Sequence, residues 1–268
     1  MDLQAFYEGE PEALLADARL PAAHEALLVA LEAGEVRAAS PDGSNRWTVH
    51  AWVKRAILLG FRAAPIERVD WPSGPFFDKT AYPPRRFERE SGVRLVPGGT
   101  AVRRGSFVAP GVVVMPPAYV NVGAHVEEGA MIDSHALVGS CAQIGQRVHL
   151  SCGAQIGGVL EPASARPVIV EEDVFVGGLV GLFEGILVRR RAVIASGVIV
   201  TRATTIYDLV HGREWRHEIP EGAVVVPGSR PAKGEFAQAH GLQLSTPVIV
   251  KYRDASTDAA TALESALR

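Results

Sequence analysis

The sequence predicts a mainly β protein: a left-handed parallel β-helix of hexapeptide repeats, preceded by a helical N-terminal domain and followed by a small strand-and-helix cap. Three observations carry that prediction. Counting by six from Val102 gives Val102, Val108, Val114, Val120, Val126, Ile132, Val138, Ile144, Leu150 and Ile156, an aliphatic residue at every step. A helix would repeat near 3.6 residues and an alternating strand at 2, so neither accounts for the pattern. Each face of a three-sided prism takes about six residues and a full coil about 18, and stacked coils bury the one small aliphatic side chain that a single unit would leave exposed. Glycine follows the inward residue in Val138-Gly139, Ile144-Gly145 and Ile156-Gly157, where a prism corner needs room. The hexads begin only after about residue 100, and upstream of them several stretches have helical spacing instead.

Taken in order, residues 3–18 and 22–33 are expected to be helices, the second carried by Ala26, Leu27, Ala30 and Leu31 and stopped at Gly34. A short ribbon runs from Val36–Ala39 to Arg46–Val49 with its turn at Pro41-Asp42-Gly43. His50 to Phe61 has helical spacing again, with Pro65 beyond its end. Residues 65–92, rich in proline, aromatics and charge, are expected to pack as a polar loop region on a neighbouring surface. The hexad register is expected to continue after an interruption through Val168, Val174, Val180, Ile186, Ala192, Val198 and Thr204. Pro162 falls where an inward aliphatic is due, and proline removes a ladder donor, so residues 158–167 read as a loop leaving the prism. Pro220–Gly228 resembles a last hexapeptide element, Thr246–Tyr252 a strand and Asp258–Leu267 a terminal helix. The expected domains are 1–100, 101–230 and 231–268, the outer two capping the open ends of the solenoid.

The 268 residues carry 27 basic and 30 acidic side chains, a formal charge of −3, so nothing in the charge points to nucleic acid or an anionic membrane as partner. No long apolar run or signal-like N-terminus is visible, and a cytoplasmic location is the expectation. Two cysteines, Cys141 and Cys152, form no disulfide framework. Neither a phosphate-binding Walker word nor a dinucleotide fingerprint occurs. His125, His135 and His149 invite a metal reading, but their separations are not multiples of a full coil, so they do not stack within one prism.

Several longer words narrow the reading. They are Val53-Lys54-Arg55-Ala56-Ile57-Leu58-Leu59-Gly60-Phe61-Arg62, Phe77-Asp78-Lys79, Met115-Pro116-Pro117-Ala118-Tyr119-Val120-Asn121-Val122-Gly123-Ala124, Met131-Ile132-Asp133-Ser134, Val138-Gly139-Ser140-Cys141-Ala142-Gln143-Ile144-Gly145 and Gly157-Gly158-Val159-Leu160-Glu161-Pro162. In these words and their order the chain resembles the tetrahydrodipicolinate N-succinyltransferase family of hexapeptide-repeat acyltransferases. The resemblance implies transfer of the succinyl group of succinyl-CoA, a co-substrate rather than a tightly bound cofactor, to an amino dicarboxylate in lysine biosynthesis. It further implies a homotrimer with active sites between adjacent prisms.

The resemblance also implies roles for single residues. Asp133 follows inward Ile132, so it points outward, and it matches a functional aspartate that is catalytic or orients the amine. A corner aspartate capping nearby amides is the plain structural alternative. Glu184, in Phe183-Glu184-Gly185, matches the second carboxylate, against the alternative of a solvated surface glutamate. An amine must lose a proton to attack a thioester, which gives a positioned carboxylate its use. Ser151, three hexads beyond Asp133, is expected one coil above it. Arg94 matches the arginine that holds a substrate carboxylate, where a planar fork suits bidentate binding; Lys79 and Arg103 are further candidates for the same dicarboxylate. Gly177, Gly178, Ala195, Arg202 and Lys233 are the expected CoA contacts. Leu179 departs from the family, which carries a polar residue there. Leucine offers no hydrogen bond to a succinyl carboxylate, so an acetyl-CoA-dependent enzyme is the alternative, beside a purely structural or binding solenoid.

Overall fold

The computed structural model describes residues 1–71 and 74–254, and the expected helix at 258–267 lies outside the described residues. Two-residue strands stack into the three faces of a parallel β-helix. The first face runs from Arg94–Leu95 to Val193–Ile194, the second from Ala101–Val102 to Ile199–Val200, and the third from Phe107–Val108 to Glu218–Ile219. In the lower coils the rungs repeat every three hexads, as Met131 opposite His149 and Ile132 opposite Leu150 show. Every residue of the hexad series from Val102 to Ile156 is the second residue of its strand and is buried in one continuous aliphatic core.

Above the loop the expected register fails. Ile144 pairs with Val170, Leu150 with Val176 and Ile156 with Leu182. The coil that carries the loop is therefore longer than its neighbours, and the inward strand residues become Val170, Val176, Leu182, Val188, Ile194 and Val200. The expected series starting at Val168 lies two positions early. Its members through Val198 are nevertheless buried, because the corner residue two positions before each inward residue also faces the core. Below the loop small alanines mostly hold that corner, as at Ala124, Ala130, Ala136 and Ala142; above it Val168, Val174, Val180 and Ile186 do. The upper coils thus show aliphatic hexads in two phases, and sequence spacing alone does not say which phase lies in the strands.

The N-terminal unit contains α1 (Leu3–Tyr7), α2 (Pro11–Leu15), α3 (Leu20–Glu32) and α4 (Ala51–Ala63). The helix expected over 3–18 is thus broken in two. Pro11 opens α2 at a position whose N–H has no helical partner in any case. The expected ribbon is present as β1 (Ala39–Pro41) and β2 (Trp47–Val49), with Ala39 opposite Val49. Residues 65–92 are not loop throughout: β3 (Ile66–Trp71) and β4 (Gly74–Lys79) form an antiparallel hairpin. In a two-stranded ribbon both strands are edges, so the prolines that argued against strand are tolerated.

Helices and solenoid share a second core, in which Leu27, Ile57 and Tyr82 pack with Val122 and Cys141 from a prism corner. At the far end the strand Ala223–Pro231 first continues the first face beside Val193–Ile194, then pairs antiparallel with Gln243–Tyr252. Buried Asp208 anchors this cap. It accepts hydrogen bonds from the Tyr252 hydroxyl at 2.7 Å and Trp215 Nε1 at 3.4 Å, and His211 Nδ1 lies 2.9 Å away. Burial opposes its ionisation, yet these hydrogen bonds prevail and hold the carboxyl well below the usual carboxylate range.

Candidate active site

Each prism edge is a column of corner residues built one above another by the rungs. On the edge between the first and second faces, the Asp133 N–H donates to Leu150 O, Ser151 to Val176 O, Gly177 to Ile194 O and Ala195 to Val225 O. Asp133, Ser151, Gly177 and Ala195 therefore stack in successive coils, about 4.8 Å apart. The expected placing of Ser151 one coil above Asp133 holds. Asp133 is half-buried, and its Oδ1 accepts the Ser134 N–H at 2.7 Å, so one carboxylate oxygen does serve the corner. Above Ser151 the column carries almost no side chain, leaving a shallow strip along the edge.

Leu179 lies two positions past Gly177 on this edge, 72% exposed and with φ +59°. His135, Gly153 and Gly197 occupy the equivalent corners of other coils and also have positive φ. The position demands a left-handed backbone, which a leucine adopts at a cost of about 1–2 kcal/mol.

Glu184 occupies the next edge, between the second and third faces, two coils further up. It lines a cavity of ≈ 740 Å³ together with Gly158, Leu160, Ala165, Thr201 and Arg202. Its Oε2 accepts the Arg202 N–H at 3.0 Å. Glu184 and Gly185 both have positive φ, +57° and +75°. The lower corners of this edge make the same turn with one such residue, Gly123 or Cys141. Two successive left-handed residues, one of them a glutamate, are a strained arrangement of the kind that clusters at functional sites. Loop 158–167 forms one wall of this cavity.

Within one chain, then, Asp133 and Glu184 sit on different edges and do not meet. Arg94 is exposed on the lowest rung of the first face, in register with Val113 and Met131 and two residues before the corner column that carries Asp133. Arg103 and Lys79 are held elsewhere: Arg103 Nη2 contacts Asp78 Oδ2 at 2.6 Å, and Lys79 Nζ donates to Ala64 O at 2.8 Å, both fastening the β3–β4 hairpin. Lys233 is exposed between the two strands of the cap. Burial pushes His125 down to about 3, and its ring stacks on Phe107 at 4.2 Å; His149 packs edge-on against Phe175. Among the described residues no cluster of three His, Cys, Asp or Glu side chains is arranged for a metal, and no helix is long and apolar enough to cross a membrane.

Sequence spacing missed Thr201, which lines the Glu184 cavity, and Arg166, whose Nε donates to Gly185 O at 2.9 Å. Nothing local marks either. The one available signal was Lys54, a charge among the apolar residues Val53, Ala56 and Ile57 of α4, and it is fully buried.

Comparison with known proteins gives a consistent result. Residues 6–63 match the family model for the tetrahydrodipicolinate N-succinyltransferase N-terminal region, and residues 167–202 match that for the hexapeptide repeat of succinyl-transferase. The chain is 45% identical over 248 residues to the 2,3,4,5-tetrahydropyridine-2,6-dicarboxylate N-succinyltransferase of Aromatoleum aromaticum, covering 90% of this chain and 87% of that protein. It is 46% identical over 247 residues to the protein of the same name from Rhodopseudomonas palustris (strain TIE-1), covering 89% and 86%. A crystal structure from Campylobacter jejuni, described as a putative 2,3,4,5-tetrahydropyridine-2-carboxylate N-succinyltransferase, superposes with a TM-score of 0.50 at 17% identity. It covers 88% of this chain, which spans 64% of that one, and it speaks to the fold alone.

Proposed function

The chain belongs to the tetrahydrodipicolinate N-succinyltransferase family, and from that premise we propose that it transfers the succinyl group of succinyl-CoA to the amine of ring-opened tetrahydrodipicolinate, L-2-amino-6-oxopimelate. The products are N-succinyl-L-2-amino-6-oxopimelate and CoA, within diaminopimelate and lysine biosynthesis. The observation that carries this reading is 45% identity over 248 residues, 90% of this chain. The edge geometry supports it. The strip above Ser151, with Gly177, Gly178 and Ala195, offers a side-chain-poor track for an extended pantetheine arm that leads its thioester down toward Asp133. The amine nitrogen attacks the thioester carbonyl, its proton passes to a carboxylate, the carbon–sulfur bond breaks, and the departing sulfur takes that proton from the carboxylic acid to leave as the CoA thiol.

Asp133 and Glu184 are the carboxylates assigned to this chemistry. Because they lie on different edges of one prism, the reading includes a homotrimer in which the Glu184 edge of one subunit faces the Asp133 edge of the next. Arg94 and Arg202 are the arginines exposed to take the carboxylates of substrate and acyl group, and Lys233 serves the nucleotide end of CoA. Left-handed winding, the division at about residues 100 and 230 and a cytoplasmic setting belong to the same proposal. The test is steady-state kinetics with both donors on the same amine. Succinyl-CoA should exceed acetyl-CoA in kcat/KM at least about tenfold, or about 1.4 kcal/mol. A ratio at or below one would transfer the assignment to an acetyl enzyme.

A further inference from the structure

Lys54 is a charged side chain with no exposure at all, a rare condition for lysine, on the inner face of α4. Its ammonium donates to the carbonyl oxygen of Ala165 in the loop, 111 residues away. Burial lowers its pKa, and the buried Cys141 thiol lies close by. Burying an ammonium is costly unless it is hydrogen-bonded, and this one ties a helix of the N-terminal unit to the wall of the Glu184 cavity. Leu160 of the same loop packs into the helical core.

The next residue continues the connection. Arg166 Nε donates to Gly185 O at 2.9 Å and its Nη2 to His217 O at 2.8 Å, so its guanidinium bridges the corner just past Glu184 to the strand leading into the cap. The loop backbone presses on the same corner: a Cβ added to Gly185 would collide with Arg166 O. The corner held in this way is the one with two consecutive left-handed residues, a conformation that persists only when its surroundings over-determine it. The connection thus runs from α4 through Lys54, the Ala165 carbonyl and the Arg166 guanidinium to the Gly185 carbonyl.

We propose that Lys54 and Arg166 are positioning residues for the acyl transfer: they clamp loop 158–167 between the helical unit and the prism and so fix the direction in which Glu184 points. This rests on the assignment of Glu184 to the chemistry, but the clamp itself is open to a measurement that needs no catalysis.

The experiment compares Lys54→Met, Arg166→Met and Arg166→Lys with wild type by hydrogen exchange on the unliganded protein and by steady-state kinetics with succinyl-CoA. Both methionine variants should speed exchange at Val159, Ala165 and the 184–186 corner about tenfold or more, while rungs of the lower coils keep wild-type protection. kcat should fall about tenfold to a hundredfold through misplacement of the carboxylate, with KM for succinyl-CoA within about threefold. Arg166→Lys keeps a donor and should recover part of kcat. Unchanged exchange at the 184–186 corner in both methionine variants would overturn the clamp. So would a loss shared equally by kcat and by CoA affinity, or the absence of any recovery with lysine. Should Lys54→Met loosen α4 itself, the Arg166 pair, which lies outside the helix, decides. A wild-type protein silent with succinyl-CoA would count against the activity, whereas the exchange pattern would still judge the clamp.

Discussion

Replacing Gly185 by alanine tests the corner on which Glu184 stands. Two separable effects are expected. An L-residue at φ +75° costs about 1–2 kcal/mol. The new Cβ would also collide with Arg166 O, a backbone atom that has no flexible side chain to give way. The loop must retreat, and the Arg166 Nε hydrogen bond to Gly185 O goes with it; a hydrogen bond to a charged group is worth about 1.5–3 kcal/mol. The two losses together come to about 2.5–5 kcal/mol. Gly197 supplies the control, since its φ is +79° and nothing lies within 4 Å of an added Cβ, so Gly197→Ala should lose the backbone strain alone. Urea unfolding at one fixed protein concentration then reads the difference, expected at about 1.5–3 kcal/mol. Equal losses in the two variants, within about 0.5 kcal/mol, would show that the loop does not press on the corner and would refute the reasoning.

Asp133→Asn and Glu184→Gln should each lower kcat at least about a hundredfold while leaving CoA affinity nearly unchanged in calorimetry; near-wild-type turnover in either removes that residue from the chemistry. Leu179→Asn should raise stability by roughly 0.5–1 kcal/mol, because asparagine tolerates the left-handed backbone better, and should leave the succinyl-to-acetyl ratio where it was. A ratio that rises severalfold would show that the side chain reads the acyl group. Asp208 governs an acid limb. Its folded carboxyl titrates below the unfolded value of about 3.9, so its ionisation supports the fold fully above that pH and the support is lost as pH falls toward the folded pKa. The stability gap between wild type and Asp208→Asn should therefore narrow from pH 5 to about pH 2 in urea titrations; a constant gap would mean that the charge is not what holds the cap.

The lower prism was legible because its repeat is unbroken. Three hexads per coil put Ser151 over Asp133 without any structure, and the same arithmetic made each hexad aliphatic from Val102 to Ile156 an inward residue. Legibility ended at the loop, where one coil is lengthened and branched aliphatics fill both the corner and the strand positions. Spacing did not put the upper rungs in phase. The β3–β4 hairpin was hidden for a different reason: its prolines argue against strand everywhere except in a ribbon that is all edge. The contacts of Lys54 and Arg166 span 111 and 19 residues across unrelated elements, and no local pattern encodes such a meeting.

Leu179 shows how a backbone requirement can pass for a binding requirement. Read as sequence, leucine in place of a polar residue removes a hydrogen-bond donor and brings the acyl group into question. In the fold, the position is one of a vertical series with His135, Gly153 and Gly197, every member of which turns the chain with positive φ. Glycine and asparagine are favoured at such a corner whether or not a ligand is near, so an asparagine there already has a sufficient cause in the turn. The leucine side chain stands 72% exposed and leans over Gly153 of the coil below, so it fills no core. If the turn is the whole reason for the residue preference, the succinyl carboxylate must be met by something else, and Arg202, exposed beside Glu184, is the cation positioned for it. Arg202→Gln should then depress kcat/KM for succinyl-CoA while leaving the slower acetyl-CoA reaction nearly unchanged. An equal fall with both donors would return the selection of the acyl group to the Leu179 edge.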